Sequence, residues 1–413
     1  MPIENPPEII LHNGVISTQA DANPLAQAVA LGRGCIIAVG GDEDIRYLAG
    51  PDTQIIDLAG RLVTPGFIDT HIHFYEWAFN RQGLKLDGLS CLEDLLDLVG
   101  RASRDRPQRQ WIMGQGWNET DWAQPRMPTR DVLDQVAPDH PVILWRCDMH
   151  LAAANSTALR MAAIDAGTAD PPEGRIERDG QGEPTGILRE LAINLIRKAI
   201  SPPSANHARQ TFTDAMRALH RRGVTGIHDT RLMDDETGAD SFRTFQSLDR
   251  DGALNLRTWV TLPGHKLEEI IDLGICTGFG GQRLRTGHVK FFSDGGMGAR
   301  TAWMLDPFLD ADRGMPLMDM AELARQVEKA DRAGLSVMVH AVGDRANREV
   351  ISIFEALKTR REKSNTPPPA IEHRIEHLQM IRPEDALRLG DLGVGLCVTP
   401  ANLLLDINLI DTA

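Results

Sequence analysis

From Gly223 onward, short apolar runs alternate with stretches of helical periodicity, and this alternation restricts the possible folds more than any other feature of the chain. GVTGIHD, ALNLRTWVTL, RTGHVKFFSD, GLSVMVHAVG, AIEHRIEHLQ and GVGLCVTP read as strands. MAELARQVEKADRAG reads as a helix stopped by a glycine before the next run. Repetition of that unit predicts an α/β fold, a parallel sheet covered by helices or a (β/α)8 TIM-type barrel. VTPGFIDTHIHF, residues 63–74, supplies an opening strand in which Val63, Phe67 and Ile68 are expected in the core. This makes seven barrel-type strands. A parallel barrel missing its eighth strand keeps two unpaired edges, so the sequence is expected to lack the C-terminal part of a longer protein.

Residues 1–63 carry short period-2 segments punctuated by glycine and predict a β-sandwich portion. The barrel is assigned to 64–79 and 221–413. Between its first two strands lie about 150 residues, where an ordinary βα loop has roughly 2–6. Residues 80–220, with their own strand PVILWRC, are therefore assigned to an inserted subdomain.

Charge and composition narrow the function. Net charge is −14, from 44 basic and 58 acidic residues, which disfavours a nucleic-acid partner because phosphate binding needs a concentrated basic surface. No run approaches the about 20 apolar residues of a membrane span, and the N-terminus lacks a signal-peptide pattern. A cytoplasmic protein with a small-molecule substrate is expected. The five cysteines are scattered, without a C-x-x-C pair, and are read as reduced thiols. Neither a phosphate-binding G-x-x-x-x-G-K-[ST] loop nor a G-x-S-x-G elbow is present.

Residues two apart on a strand project to the same side, so His71 and His73 present two imidazoles to one face and can bind one divalent ion. Taken alone, H-x-H equally fits two hydrogen-bonded polar residues at a strand end. His340 ends SVMVH and His377 ends IEHRIEH; in a parallel barrel these termini converge on the C-terminal mouth. Lys290 interrupts an apparently buried strand. It is read either as a snorkelling or salt-bridged lysine or as an amine of lowered pKa that takes up CO2 to become a carbamate.

TPGFIDTHIHF, GHVKFFSDGGMGARTAW, VMVHAVGDRAN and RIEHLQ, in this order, resemble the amidohydrolase superfamily, and within it the large-insert YtcJ-like branch, amidohydrolase family 3, with the N-substituted formamide deformylases. WRCDMHLAAANSTAL and EPTGILRE in the insert are similar to that branch as well. The resemblance implies a barrel flanked by a β-sandwich built from both chain ends, and one or two divalent ions, most often zinc, at the mouth. It assigns His71 and His73 as first-strand ligands, Lys290 as a bridging carbamate, and His340 and His377 as fifth- and sixth-strand ligands, with His373 disfavoured. The implied reaction is attack of a metal-activated hydroxide on a non-peptide C–N bond of an amide, formamide or cyclic amide. The aspartate expected after an eighth strand has no counterpart, and neither Asp406 nor Asp411 stands in a matching context. The same scaffold serves esterase, lactonase or deaminase chemistry, and a metal-free relic that binds a small molecule or a partner is the reading from another class. Relatives commonly pair, so a homodimer is expected.

Substrate contacts are expected from His150 in the insert and from Asp294, Arg300, Asp344 and Arg345 just past strand ends. The last four also fit a salt-bridged rim. Trp117 and Trp122 are candidates for the pocket wall or for the core, and His228 and Asp229 for groups supporting the ligands.

Overall fold

The computed structural model describes residues 6–172, 174–230 and 238–407. The chain forms two compact units, Met1–Phe67 and Ile68–Ala413. In the first, a four-stranded sheet runs in the order Cys35–Gly40, Ala28–Gly32, Ile9–His12, Gln54–Asp57, and a three-stranded sheet in the order Leu25–Ala26, Val15–Ser17, Leu62–Val63. Alternation along Ala28–Gly32 serves two cores: Ala28 and Ala30 pack with Ile10 and Ile45, while Val29 packs with Ile16 and Leu58.

The second unit holds a seven-stranded sheet, a nearly closed barrel of the TIM type, whose spatial order follows the chain. Its strands are β1 (Phe67–Ile72), β2 (Val224–Asp229), β3 (Arg257–Pro263), β4 (Leu284–Phe292), β5 (Val337–Ala341), β6 (Arg374–His377) and β7 (Gly395–Val398). From β2 to β7 every neighbouring pair is parallel. The helices that matter below are α1 (Phe74–Asn80), α2 (Ala205–His220), α3 (Gly238–Arg250), α4 (Met320–Arg332), α5 (Asp344–Ser364) and α6 (Pro400–Asp406). Among the described residues, no helix is long and apolar enough to cross a membrane.

Strand parity positions the site. Val289 and Phe291 of β4, Val337, Val339 and Ala341 of β5, and Ile375 of β6 pack in one cluster with Leu323 and Val327 of α4 and Val350 and Phe354 of α5. Alternation then turns Lys290, Met338, His340, Arg374 and Glu376 to the barrel interior. The expectation for Phe67 and Ile68 is corrected: they are 66% and 60% exposed. β1 is the outer strand of the sheet and has a neighbour on one side only. Leu396 and Val398 on β7, the opposite edge, are exposed for the same reason.

Residues 84–190 carry a separate six-stranded mixed sheet, in the order Gly174–Arg178, Pro184–Glu190, Leu151–Ala154, Val142–Arg146, Ile112–Trp117, Leu84–Lys85. All five residues of Val142–Arg146 are buried. Val142 and Leu144 pack with Trp117 and Leu133 on one face, and Ile143 and Trp145 with Leu188 and Ile193 on the other. A strand covered on both faces reads as a continuous apolar run, as PVILWRC does.

Candidate metal-binding site

The imidazoles of His71, His73, His340 and His377 meet on the wall of one cavity of about 240 Å³. Ring centroids are 5.5 Å apart for His71 and His73, 4.7 Å for His71 and His377, and 4.6 Å for His340 and His377. His71 and His73 lie two residues apart at the end of β1, and His340 near the end of β5. Period two would turn His377 away from Glu376 and out of the barrel; instead, His377 and Leu378 take φ of 74° and 49°, a left-handed kink that ends β6 and brings the ring to the mouth.

Each first-strand ring has its Nδ1 committed elsewhere. His71 Nδ1 makes a short contact with Glu376 Oε2, and His73 Nδ1 lies 2.7 Å from the Thr230 carbonyl oxygen. Donation of Nδ1–H to a carboxylate or carbonyl leaves Nε2 as a lone-pair donor, the usual supporting arrangement for a metal-ligating imidazole. Burial, then the charges of Lys290 and neighbouring rings, hold His71 well below the ordinary histidine value and take His73 down to about 3. Burial and the neighbouring His71 and His377 rings do the same for each other's partners His377 and His340. Neutral imidazoles are the form that binds a cation.

Lys290 is 3% exposed and its Nζ has no hydrogen-bond partner. It sits 4.5 Å from the centroid of the Phe292 ring. Burial lowers its pKa to about 8, opposed by Glu376. An orphaned buried amine beside a ring of neutral imidazoles fits a centre whose donor set becomes complete on binding a cation. His71, Glu376 and Cys397 also bring ligand atoms within 4.8 Å of one another. Glu376 is fully buried, paired with Arg374 and held beside His71. Sequence reasoning passed over Glu376; its place two residues after Arg374 in a buried strand was the available signal, since a buried carboxylate requires such a partner.

The insert contributes a second pair. His150 lines the cavity, 5.5 Å between centroids from His340, and its Nδ1 is 2.8 Å from Glu190 Oε2. The other Glu190 oxygen accepts from the Thr301 hydroxyl. Burial alone would lower the His150 pKa, but the charge and hydrogen bond of Glu190, with Asp148 and Asp294 behind, raise it to about 9. Beneath this pair Arg146, fully buried, donates to Glu119 at 3.0 Å, Asp148 at 2.7 Å and Asn118 at 2.6 Å. Gly296 and Gly298 let the segment after β4 approach: a Cβ there would overlap the His150 ring and the Arg146 guanidinium respectively.

Other expected contacts lie elsewhere. Trp117 is corrected to core: it is fully buried in the insert cluster with Leu144 and Trp122, at the end of a strand paired with the fully buried Val142–Arg146. Asp294 accepts from the backbone N–H groups of Val342, Gly343 and Trp303 at 2.7–3.0 Å and so ties loops together under the site; burial raises its pKa to about 7 against those bonds. Arg300 makes a two-pronged pair with Asp310 at 2.8 and 3.0 Å and lines a separate cleft. Asp344 accepts from Leu305 N–H and Arg382, and Arg345 lies over Trp303 at 4.4 Å. Asp229 accepts from Phe74 N–H and the Ser241 hydroxyl, linking β2 to α1 and α3. His228 stacks on Trp259 and bonds Arg374. His373 accepts from Val337 N–H at 3.0 Å and faces Asp331, below the mouth. Conversely, Asp406, passed over in sequence, lines the cavity and is hydrogen-bonded to Gln379; Asp411 lies outside the described residues.

The family model described as "Amidohydrolase family" matches residues 54–411. Protein LONG AFTER FAR-RED 3 of Arabidopsis thaliana is 31% identical over 407 residues, covering 97% of this chain and 69% of that protein. The putative amidohydrolase YtcJ of Bacillus subtilis is 30% identical over 395 residues, 95% of this chain and 72% of its own length. The N-substituted formamide deformylase of Arthrobacter pascens is 28% identical over 408 residues, 95% and 73%. Among solved structures, an uncharacterized metal-dependent hydrolase from Pyrococcus horikoshii OT3 superimposes with a TM-score of 0.74 at 26% identity, covering 98% of this chain and 77% of that one.

Proposed function

Because this chain belongs to the amidohydrolase family, we propose that it is a cytoplasmic, metal-dependent hydrolase of a carbon–nitrogen bond other than a peptide bond, in an N-substituted amide, formamide or cyclic amide. The observation that carries the reading is the meeting of four neutral imidazoles from β1, β5 and β6 around one cavity. The similarity to the formamide deformylase supports the bond class.

His71, His73, His340 and His377 would hold a divalent ion, and imidazole donors suit zinc. When bound, the ion supplies Lewis-acid polarisation of the carbonyl and acidifies water. Lys290 would join the centre as a carbamate: its neutral amine attacks CO2, the N–C bond forms as one C=O π pair moves onto oxygen, and the nitrogen gives its proton to water. Glu376 orients His71 and balances the positive charge of Arg374. His150 faces the same space from the insert. With Nδ1–H donated to Glu190, its Nε2 is the ring atom left to hold a proton for the departing nitrogen. Gln379, Asn402 and Asp406 give the opposite wall a polar surface on which the carbonyl group can be oriented.

The test is metal analysis of the purified full chain, grown metal-replete, together with a screen of N-formyl and N-acyl amines. One or two equivalents of divalent ion with turnover of an amide is the expected result. Absence of bound metal and of turnover would refute the reading. An intact-mass measurement for one added carboxyl group on Lys290 tests the carbamate separately.

A further inference from the structure

The cavity that gathers the imidazoles is also lined by three carboxylates, Asp148, Glu190 and Asp406. Two of them are already engaged. Glu190 meets His150 Nδ1 and accepts from the Thr301 hydroxyl, and Asp148 accepts from Arg146 at 2.7 Å and from the His150 backbone N–H at 3.1 Å. Asp406 differs. It closes α6, one turn after Asn402, so the two side chains share a helix face. Asn402 Nδ2 donates to Gln379 Oε1 at 3.3 Å, and Gln379 Nε2 donates in turn to Asp406 Oδ2. These amides fix the carboxylate without neutralising it. The residue is 8% exposed and its Oδ1 has no hydrogen-bond partner, which costs free energy until a donor arrives.

The neighbouring cations do not meet this need. Arg146 and His150 act on Asp406 only through space, and between them they already bond three other carboxylates, Glu119, Asp148 and Glu190. Arg197, which also lines the cavity, lies over the Trp145 ring, 5.8 Å from its centroid. Burial raises the Asp406 pKa, opposed by Gln379 and reinforced by the charge of Asp148, so the ionised form gains from a positive partner.

We infer that Asp406 binds a primary ammonium group of the substrate, carried on a short aliphatic arm while the scissile amide lies among the imidazoles. The inference rests on the hydrolase reading for the position of the scissile bond, and on the wall around Asp406 alone for the cation. One oxygen is left to be satisfied, which suits the compact point charge of an ammonium. A guanidinium would pair through two. The cavity, of about 240 Å³, keeps the arm short.

The test uses the metal-loaded full chain and three formamides of similar length: N-(3-aminopropyl)formamide, N-butylformamide and N-formyl-β-alanine. The expected kcat/KM for the ammonium substrate exceeds that for the neutral one at least tenfold, and that for the anionic one by more. Asp406→Asn should cut the ammonium-to-neutral ratio at least threefold, through KM, with metal content unchanged. Asp406→Ser carries the same expectation should Asp406→Asn fold poorly. A ratio below tenfold in the parent, or one that the folded variant lowers less than threefold, overturns the inference and leaves the hydrolase reading standing. Loss of metal in the variant also overturns it, since Asp406 would then be a ligand, as does an equal fall in kcat on all three substrates, the mark of a proton carrier. If none of the three is turned over, n-butylammonium chloride titrated alone, followed by calorimetry, decides the matter. Binding that weakens at least tenfold in Asp406→Asn supports the ammonium site; a smaller effect, or no binding, overturns it.

Discussion

A carboxylate buried against an imidazole determines which ring nitrogen carries the proton, and Glu376 does this for His71. Glu376→Gln is expected to weaken metal binding by about 10–100-fold, read by competition with a chromogenic chelator. His71→Ala or His340→Ala should abolish metal content and hydrolysis together while the circular dichroism spectrum stays native. A different carboxylate reports on pH. Asp331 is drawn from 3.8 to about 2: burial opposes the shift, and hydrogen bonds from His373 and Arg361 outweigh it. A depressed carboxyl pKa stabilises the folded chain fully above 3.8 and loses that contribution as pH falls through about 2. Asp331→Asn should therefore cost about 1–2 kcal/mol at neutral pH, after allowance for solvent screening, and the difference from the parent should shrink in acid-unfolding curves towards pH 2.

At the scale of elements, strand parity was readable wherever helices cover one face and the barrel interior the other. GLSVMVHAVG and GHVKFFSD therefore announced their strands, and the packing of their alternate residues on the helices turns His340 and Lys290 inward. Phe67 and Ile68 were misread because their exposure depends on β1 lying at a sheet edge, which is set by pairing and not by local hydrophobicity. The pairing of Glu376 and Glu190 with their histidines was hidden for a related reason. Their partners His71 and His150 lie 305 and 40 residues away, and no local period connects them. Trp117 shows the converse, a residue offered for either the pocket wall or the core, which packs in the core of the insert sheet. The segment after β4 gives an element-scale test. A Cβ at position 298 would overlap the buried Arg146 group, whose own hydrogen bonds prevent it from retreating. Gly298→Ala should lower stability by about 1–3 kcal/mol in urea unfolding, with catalysis reduced because His150 is displaced along with its support.

For the molecule as a whole, the barrel mouth gathers imidazoles from distant strands, so a cation held there would tie β1, β5 and β6 together. A cation that binds only the folded chain adds about 2.7 kcal/mol when present at a hundred times its dissociation constant. Dialysis against a strong chelator should accordingly lower the melting temperature and stop hydrolysis, and stoichiometric zinc should restore both. Glu190 lines two spaces at once, the imidazole chamber and the cleft that holds Arg300, and it is gripped from the second by Thr301. The far side of that wall is thus a remote handle on the chemistry. A random-mutagenesis screen for altered turnover should recover hits at Thr301, a threonine that lines the second cleft and not the imidazole chamber, because losing its hydroxyl frees the carboxylate that holds His150.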